Sequence, residues 1–185
     1  MRLDFAEAAS NAFAFLSDAG FTLASTSPAV VRYRKGELEA EVFRDPQSYE
    51  VGFQIGYGSE KYSTSEIIRL ADQRLGDEYR DHTAKNRAEL LDALARLADL
   101  IKIYAQDEIS GNRFVFKALM HRRKAWAENY ACEVLASQIR PKAEEAFRNG
   151  DYATAASLYG KIESQLSPSE AKKMALAQER SRNLK

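Results

Sequence analysis

The stretch "VVRYRKGELEAEVF" (30–43) decides the fold. Apolar and charged residues alternate on both sides of Lys35-Gly36, the pattern of two antiparallel strands joined by a tight turn. With Lys35-Gly36 as a two-residue turn, Arg34 faces Glu37, Arg32 faces Glu39 and Tyr33 faces Leu38. Opposite charges directly across such a pair contribute ~0.2–1 kcal/mol each. Asp45-Pro46-Gln47-Ser48 forms the next turn, before "YEVGFQIGYG" (49–58). A four-residue loop there sets Val42 opposite Val51, Ala40 opposite Phe53 and Leu38 opposite Ile55, all on one face. The other face carries Glu37, Glu39, Glu41 and Glu50, with Gly52 and Gly56 bare. Two turns read independently give one apolar face, which is the mark of a meander. Residues 21–26 leave a further strand open.

Helical spacing flanks this sheet. Phe5, Ala9, Ala12, Phe13 and Leu16 predict one amphipathic helix over 5–19, with Asp4 and Glu7 as a capping pair. Gly20 stands at its end and Phe21 closes it. Ser63-Thr64-Ser65-Glu66 is a second capping box, opening a helix through Ile67, Ile68, Leu70, Ala71 and Leu75 to Gly76. Residues 1–76 therefore read as an α-β-β-β-α layer, a sheet covered on one face by two helices, and the class is α+β.

Beyond residue 77 the period of two disappears. The polar stretch 77–86 reads as a linker and 87–185 as a helical bundle. Leu90, Leu94, Leu97, Ile101 and Tyr104 form the seam of its first helix. A second helix runs from Arg113 to about Gln138, where Pro141 is expected to end or kink it. Shorter helices follow over 142–149, 151–165 and 168–182.

The chain of 185 residues is long enough to bury a core, and its formal net charge is zero. Residues 1–80 hold 9 Lys and Arg against 13 Asp and Glu; residues 81–185 hold 18 against 14. A generic nucleic-acid binder carries a larger basic excess. The single cysteine, Cys132, excludes an intrachain disulfide, and its neighbours Ala131 and Val134 to Ala136 predict a buried, inert thiol. No apolar run suits a membrane span, and the acidic N-terminus does not suit a signal peptide, so a cytoplasmic protein is expected.

Two resemblances follow from quoted residues. "AEEAFRNGDYATAASLYGKIESQLSP" (143–168) resembles one tetratricopeptide-type helix pair. Ala143 and Ala146 match its small positions, Gly150-Asp151-Tyr152 its turn, and Ala155, Tyr159 and Pro168 its small, aromatic and proline positions. Lys142 and Ile162 depart from the pattern, and no second copy follows, although stacked repeats need about three. A helical hairpin packed within the chain's own bundle is therefore expected, with a peptide-binding groove as the alternative. "FAFLSDAGF", "VVRYRKGELEAEVFRD", "YEVGFQIG" and "YSTSEIIRL" together are similar to small bacterial immunity-type proteins of toxin–immunity loci. That resemblance implies a non-enzymatic protein that binds and neutralises a toxin.

No residues are expected to be catalytic, cofactor-binding or metal-ligating. His82 and His121 stand alone, without the converging ligands that zinc requires. Gly56-Tyr57-Gly58-Ser59 lacks the context of a phosphate loop. The candidate partner-binding residues lie on two surfaces. One is the acidic row Glu37, Glu39 and Glu41. The other is a basic helix in "RFVFKALMHRRKAW" (113–126), where Arg113, Lys117, His121 and Lys124 form a stripe. Val115, Phe116, Leu119, Met120 and Trp126 fill the opposite side, and Arg123 projects towards them. The basic helix is expected to meet another protein or to dock on the acidic row. The alternative function is a nucleic-acid-associated regulator using 113–124.

Overall fold

The computed structural model describes residues 5–183. The protein is α+β and divides into two compact units, Met1–Arg122 and Arg123–Lys185. The expected Asp4 cap lies outside the described residues.

The first unit opens with α1 (Phe5–Ala12) and α2 (Phe15–Asp18). The helix expected over 5–19 is thus broken at Phe13-Ala14. The break keeps Phe5, Ala9, Phe13 and Leu16 all buried. Gly20 closes α2 as expected, with Phe21 N–H donating to Leu16 O at 2.9 Å. Six antiparallel strands follow: β1 (Thr22–Thr26), β2 (Val30–Lys35), β3 (Leu38–Arg44), β4 (Glu50–Tyr57), β5 (Glu60–Ser63) and β6 (His82–Thr83). The order is β1-β2-β3-β4-β5, and β6 pairs with the other end of β4. Residues 22–26, left open by the sequence, form β1.

Both turns set a register two residues from the expected one. Arg32 stands opposite Glu41, Arg34 opposite Glu39, and Lys35 opposite Leu38. The two-residue turn is Gly36-Glu37, with Gly36 at φ +60° and Glu37 outside the left-handed region. A positive φ at the first central residue alone is the requirement of a type II′ turn, so glycine must lead the turn. Arg44 stands opposite Val51, so the β3–β4 connection encloses 45–50, two residues more than expected, with Tyr49 at φ +61° inside it. Val42 therefore meets Phe53 and Ala40 meets Ile55. A shift of two preserves the faces. Leu38, Ala40, Val42, Val51, Phe53 and Ile55 are all buried on one side, as expected.

Next come α3 (Thr64–Ala71) and α4 (Gln73–Glu78). The capping box holds: Ser63 N–H donates to the Glu66 carboxylate at 2.9 Å. Residues 77–86 are not a free connection. Within them β6 pairs with β4, Ala84 N–H donates to Tyr49 O at 2.9 Å, and Arg44 donates to Ala84 O at 3.0 Å. Main-chain bonds to the sheet replace the solvation that the polar composition suggested. The next helix, α5 (Arg87–Tyr104), belongs to this unit as well. Its seam of Leu90, Leu94, Leu97 and Ile101 joins the core that contains Phe53. After α6 (Gln106–Ser110), α7 (Arg113–Arg148) begins, and its Phe116 and Leu119 complete that core. The first unit thus runs to Arg122 rather than ending at 76, because three stretches after the sheet bury side chains on it.

From Met120 to Leu135 no side chain of α7 is buried. Cys132 lies in that stretch and is exposed, against the expectation of a buried thiol. Alanine and valine neighbours implied packing, but Ala131 to Leu135 are all exposed. Pro141 does not end α7. A proline inside a helix costs ~3 kcal/mol. Burial of Ala136 and Ile139 before it and Ala143 after it holds the helix through. The second unit continues with α8 (Tyr152–Gly160), a 3₁₀ turn at Glu163–Gln165, and α9 (Pro168–Asn183). Between α7 and α8, Gly150 at φ +78° forms a Schellman end, with Asp151 N–H donating to Ala146 O at 3.0 Å. Asp151 then caps α8 through Thr154 N–H at 3.1 Å.

Candidate functional site

A groove of about 310 Å³ lies within the first unit. Its sheet side is Glu37 from the β2–β3 turn, Tyr57 from β4, and Glu60 and Tyr62 from β5. Its helix side is Arg113, Phe116, Lys117 and Met120 from the start of α7. Three rings form the floor. Tyr57 meets Phe116 edge-on with centroids 4.9 Å apart, and Tyr62 lies 6.0 Å from Phe116. The Tyr57 hydroxyl donates to Gly111 O at 3.2 Å, which fixes the ring against the residue that precedes α7 by two. Arg113 spans the mouth. Its guanidinium sits 5.5 Å from the Tyr57 ring centroid and 3.5 Å from the Glu37 carboxylate. Both charged groups are largely exposed, so the pair is worth only ~0–1 kcal/mol and can be exchanged for another partner. Met120, 49% exposed, presents an open thioether wall.

The rows singled out in the sequence are thereby divided. Glu37, Arg113 and Lys117 come together at this groove. Glu39 and Glu41 do not, and they do not receive the basic helix. They face Arg32, Arg34 and Lys61 across the polar side of the sheet. Arg34 donates to Glu39 at 2.6 Å, while Arg32 at 2.7 Å and Lys61 at 2.6 Å both donate to Glu41. Gln54 adds a fourth group to this cluster. Burial pushes the Glu41 carboxyl up, but the hydrogen bonds from Lys61, Arg32 and Gln54 outweigh it and hold the carboxyl at about 2. The hydrogen bonds from Arg34 and Lys61 likewise hold Glu39 below the usual range. The shifted register explains the change, since it moves each glutamate next to its own arginine and leaves Glu37 alone at the turn.

The remaining candidates are scattered. His121 is exposed. Arg123 and Lys124 belong to the second unit, with Arg123 half-buried and Lys124 lying 3.9 Å from Glu128 one turn along. Arg122, not singled out before, is bonded to Arg69 O and to Gln73 at 3.2 Å. Met120 and Trp126, expected on the packed side of the helix, are exposed. Trp126 instead stacks on Tyr130 at 5.5 Å, within 9° of parallel. The sequence reading also missed Tyr57, Glu60 and Tyr62. β5 was the missing element, and the alternation of "EKYS" (60–63) directly after Gly58-Ser59 was its signal.

His82 stands in β6 opposite Val51 rather than in a linker. Among the described residues no group of three His, Cys, Asp or Glu side chains could hold a metal ion, and no helix is long and apolar enough to cross a membrane. Neither a protein-family model, nor a curated protein, nor a solved structure matches the chain.

Proposed function

We propose that the chain works by binding another protein, and that the groove of the first unit takes an acidic segment with one apolar side chain. The observation that carries this is the open wall of Tyr57, Tyr62, Phe116 and Met120, with Arg113 and Lys117 along its helical rim. An apolar anchor would enter between the rings. A neighbouring carboxylate would compete with Glu37 for Arg113 and meet Lys117. Apolar anchors in such pockets supply affinity, while rim charges set the association rate. Three rings and a thioether make up half of the lining, which suits an apolar anchor.

The finer version rests on the likeness of the N-terminal layer to immunity-type proteins: the partner is a toxin, met in the cytoplasm and neutralised without chemistry. The tetratricopeptide-like pair is assigned a structural role, since Ala143, Ala155 and Tyr159 are turned into their own unit. The nucleic-acid reading is the second choice because the formal net charge is zero, without the basic excess that phosphate binding favours.

The test is to capture partners from cell lysate with wild type and with Lys117→Glu/Met120→Glu. Stability should change by less than about 1 kcal/mol, because both side chains are exposed. An acidic protein held by wild type should be lost from the variant, and the purified partner should associate more slowly with rising salt. Identical capture profiles would eliminate the groove. Nucleic acid in place of protein would favour the second class.

A further inference from the structure

The two borders of the sheet are built differently. On one side, the free edge of β4 is shared by β5 and β6, and Lys61 of β5 is turned onto the polar face towards Glu39 and Glu41. Short strands and a lysine are ordinary guards against a further strand. On the other side, β1 is the terminal strand and carries no such residue. Its sequence "TLAST" (22–26) has no charge and all five residues are exposed. An edge strand without a charged residue presents a row of backbone N–H and C=O groups ready to pair.

The side chains beside this edge define what would fit. Thr22 pairs with Arg34 and Ser25 with Arg32, so small residues stand between the outer edge and two arginines. The Arg32 and Arg34 side chains are 50% and 59% exposed. Their carboxylate partners lie on the far side, in β3. A strand added outside β1 would meet cations first on this face. On the opposite face Leu23 pairs with Tyr33 and is 55% exposed at the margin of the core. Successive residues of a strand point to opposite faces. The fitting segment therefore alternates acidic and apolar residues. The bulge at Ala24, between the Leu23 and Ser25 pairings, adds twist and restricts the segment to a short one.

From these placements we infer that β1 accepts a short extended segment of another protein, with alternating acidic and apolar residues, as a further strand of the sheet. A second copy of this chain is a poorer occupant. Its own β1 brings no carboxylate to Arg32 and Arg34, and an edge of five residues falls well short of the ~800 Å² per partner of a standard interface. This surface is separate from the groove, and neither reading depends on the other.

The test titrates the full chain, labelled with ¹⁵N, with capped seven-residue peptides alternating valine with glutamate. Two control peptides replace glutamate by lysine or N-methylate alternate amides. Amide shifts confined to 22–26 and their β2 partners are expected with the glutamate peptide. Binding should weaken at least about tenfold with the lysine peptide and vanish on N-methylation. Arg32→Gln/Arg34→Gln should erase the preference for glutamate over lysine. Equal binding of all three peptides would overturn the inference. So would shifts at Tyr57, Tyr62 and Met120 alone, which would place the segment in the groove, or dimerisation through β1 without peptide.

Discussion

The core of the first unit is made of rings and branched aliphatics, whereas the core of the second is largely alanine. Phe13 and Phe53 stack at 5.8 Å in the first, within a cluster that includes Leu16, Ile55, Ile67 and Leu97. In the second, the buried residues among those described are Ala136, Ala143, Ala155 and Ala177, with only Ile139, Tyr159 and Ile162 larger. Burying a large apolar side chain is worth ~1.5–3 kcal/mol, and an alanine methyl about a third of that. The second unit compensates with polar ties. Arg140 donates to Glu170 at 3.0 Å and to Gln165 O at 2.5 Å, and Glu144 receives the Tyr159 hydroxyl at 3.2 Å together with Lys173. The first unit adds ion pairs to a large apolar core, whereas the second relies mainly on close helix approach and charge. The stability of the second should accordingly be the more sensitive to salt.

The contrast breaks or survives first on a truncation in each core. Phe53→Ala leaves a cavity beside Phe13 and should cost about 3–5 kcal/mol. Ala155→Gly removes one methyl and adds helix entropy, for about 1 kcal/mol. Urea denaturation followed by circular dichroism measures both. A Phe53→Ala loss no larger than that of Ala155→Gly would show that the ring core is not the main support.

The same contrast explains what could be read in advance. Alternation along 30–43 and 50–57 gave every inward residue of the meander, because a period of two leaves no ambiguity of face. The pairings themselves depend on the backbone angle at Gly36 and on the length of the 45–50 connection, which hydrophobic pattern does not encode. α5 was legible as a helix from Leu90 to Ile101, but its destination was not: a leucine seam fits a sheet as well as a bundle. Polar composition hid β6, whose Thr83 and His82 pair with Glu50 and Val51 through main-chain atoms. In the alanine-rich half the pattern said helix nearly everywhere, so the passage through Pro141 and the exposure of Ala131 to Leu135 left no trace. Of the candidate site, its charged rim at Glu37, Arg113 and Lys117 was legible. Its ring floor required contacts between β4, β5 and α7.

Two glutamates of the first unit sharpen the picture at intermediate size. Glu108 in α6 is 2% exposed, and burial, aided by the charge of Asp107, pushes its carboxyl up from 4.5 to about 7. The folded state then holds the proton more tightly than the unfolded chain. The resulting stability is full below pH 4.5 and lost as pH rises to about 7. At about 1.4 kcal/mol per pH unit that span is worth about 3 kcal/mol. Glu41 has the opposite sign. Its carboxyl at about 2 contributes stability above pH 4.5 that is lost as pH falls towards 2. Arg32 is half exposed, which screens the pair and reduces the effect to about 1–2 kcal/mol. Glu108→Gln should flatten the neutral side of the stability profile, and Glu41→Gln the acid side. Denaturation at pH 3, 5, 7 and 8 distinguishes the two. An unchanged neutral limb in Glu108→Gln would place that carboxylate in a wetter site than its burial indicates.

The smallest expected effect compares one backbone angle in the two units. Gly36 closes the β2–β3 hairpin at φ +60°, and Gly150 ends α7 at φ +78°. At both, an added Cβ would meet nothing within 4 Å. Alanine at either position therefore changes backbone strain alone, by about 1 kcal/mol. Equal losses are expected from denaturation of Gly36→Ala and Gly150→Ala, although one turn joins charged strands and the other joins helices. The hairpin has one escape that the helix end lacks. Slipping by two residues would restore Arg34 opposite Glu37 and Arg32 opposite Glu39, keeping every face and removing the alanine from the first turn position. That slip would take Arg32 away from Glu41, so the acid side of the pH profile would flatten along with it. Gly36→Ala with a full loss and an intact acid limb shows the register held by Arg32, Glu41 and Lys61 against the strain. A smaller loss than at Gly150, with a flattened acid limb, would show that the turn alone had set it.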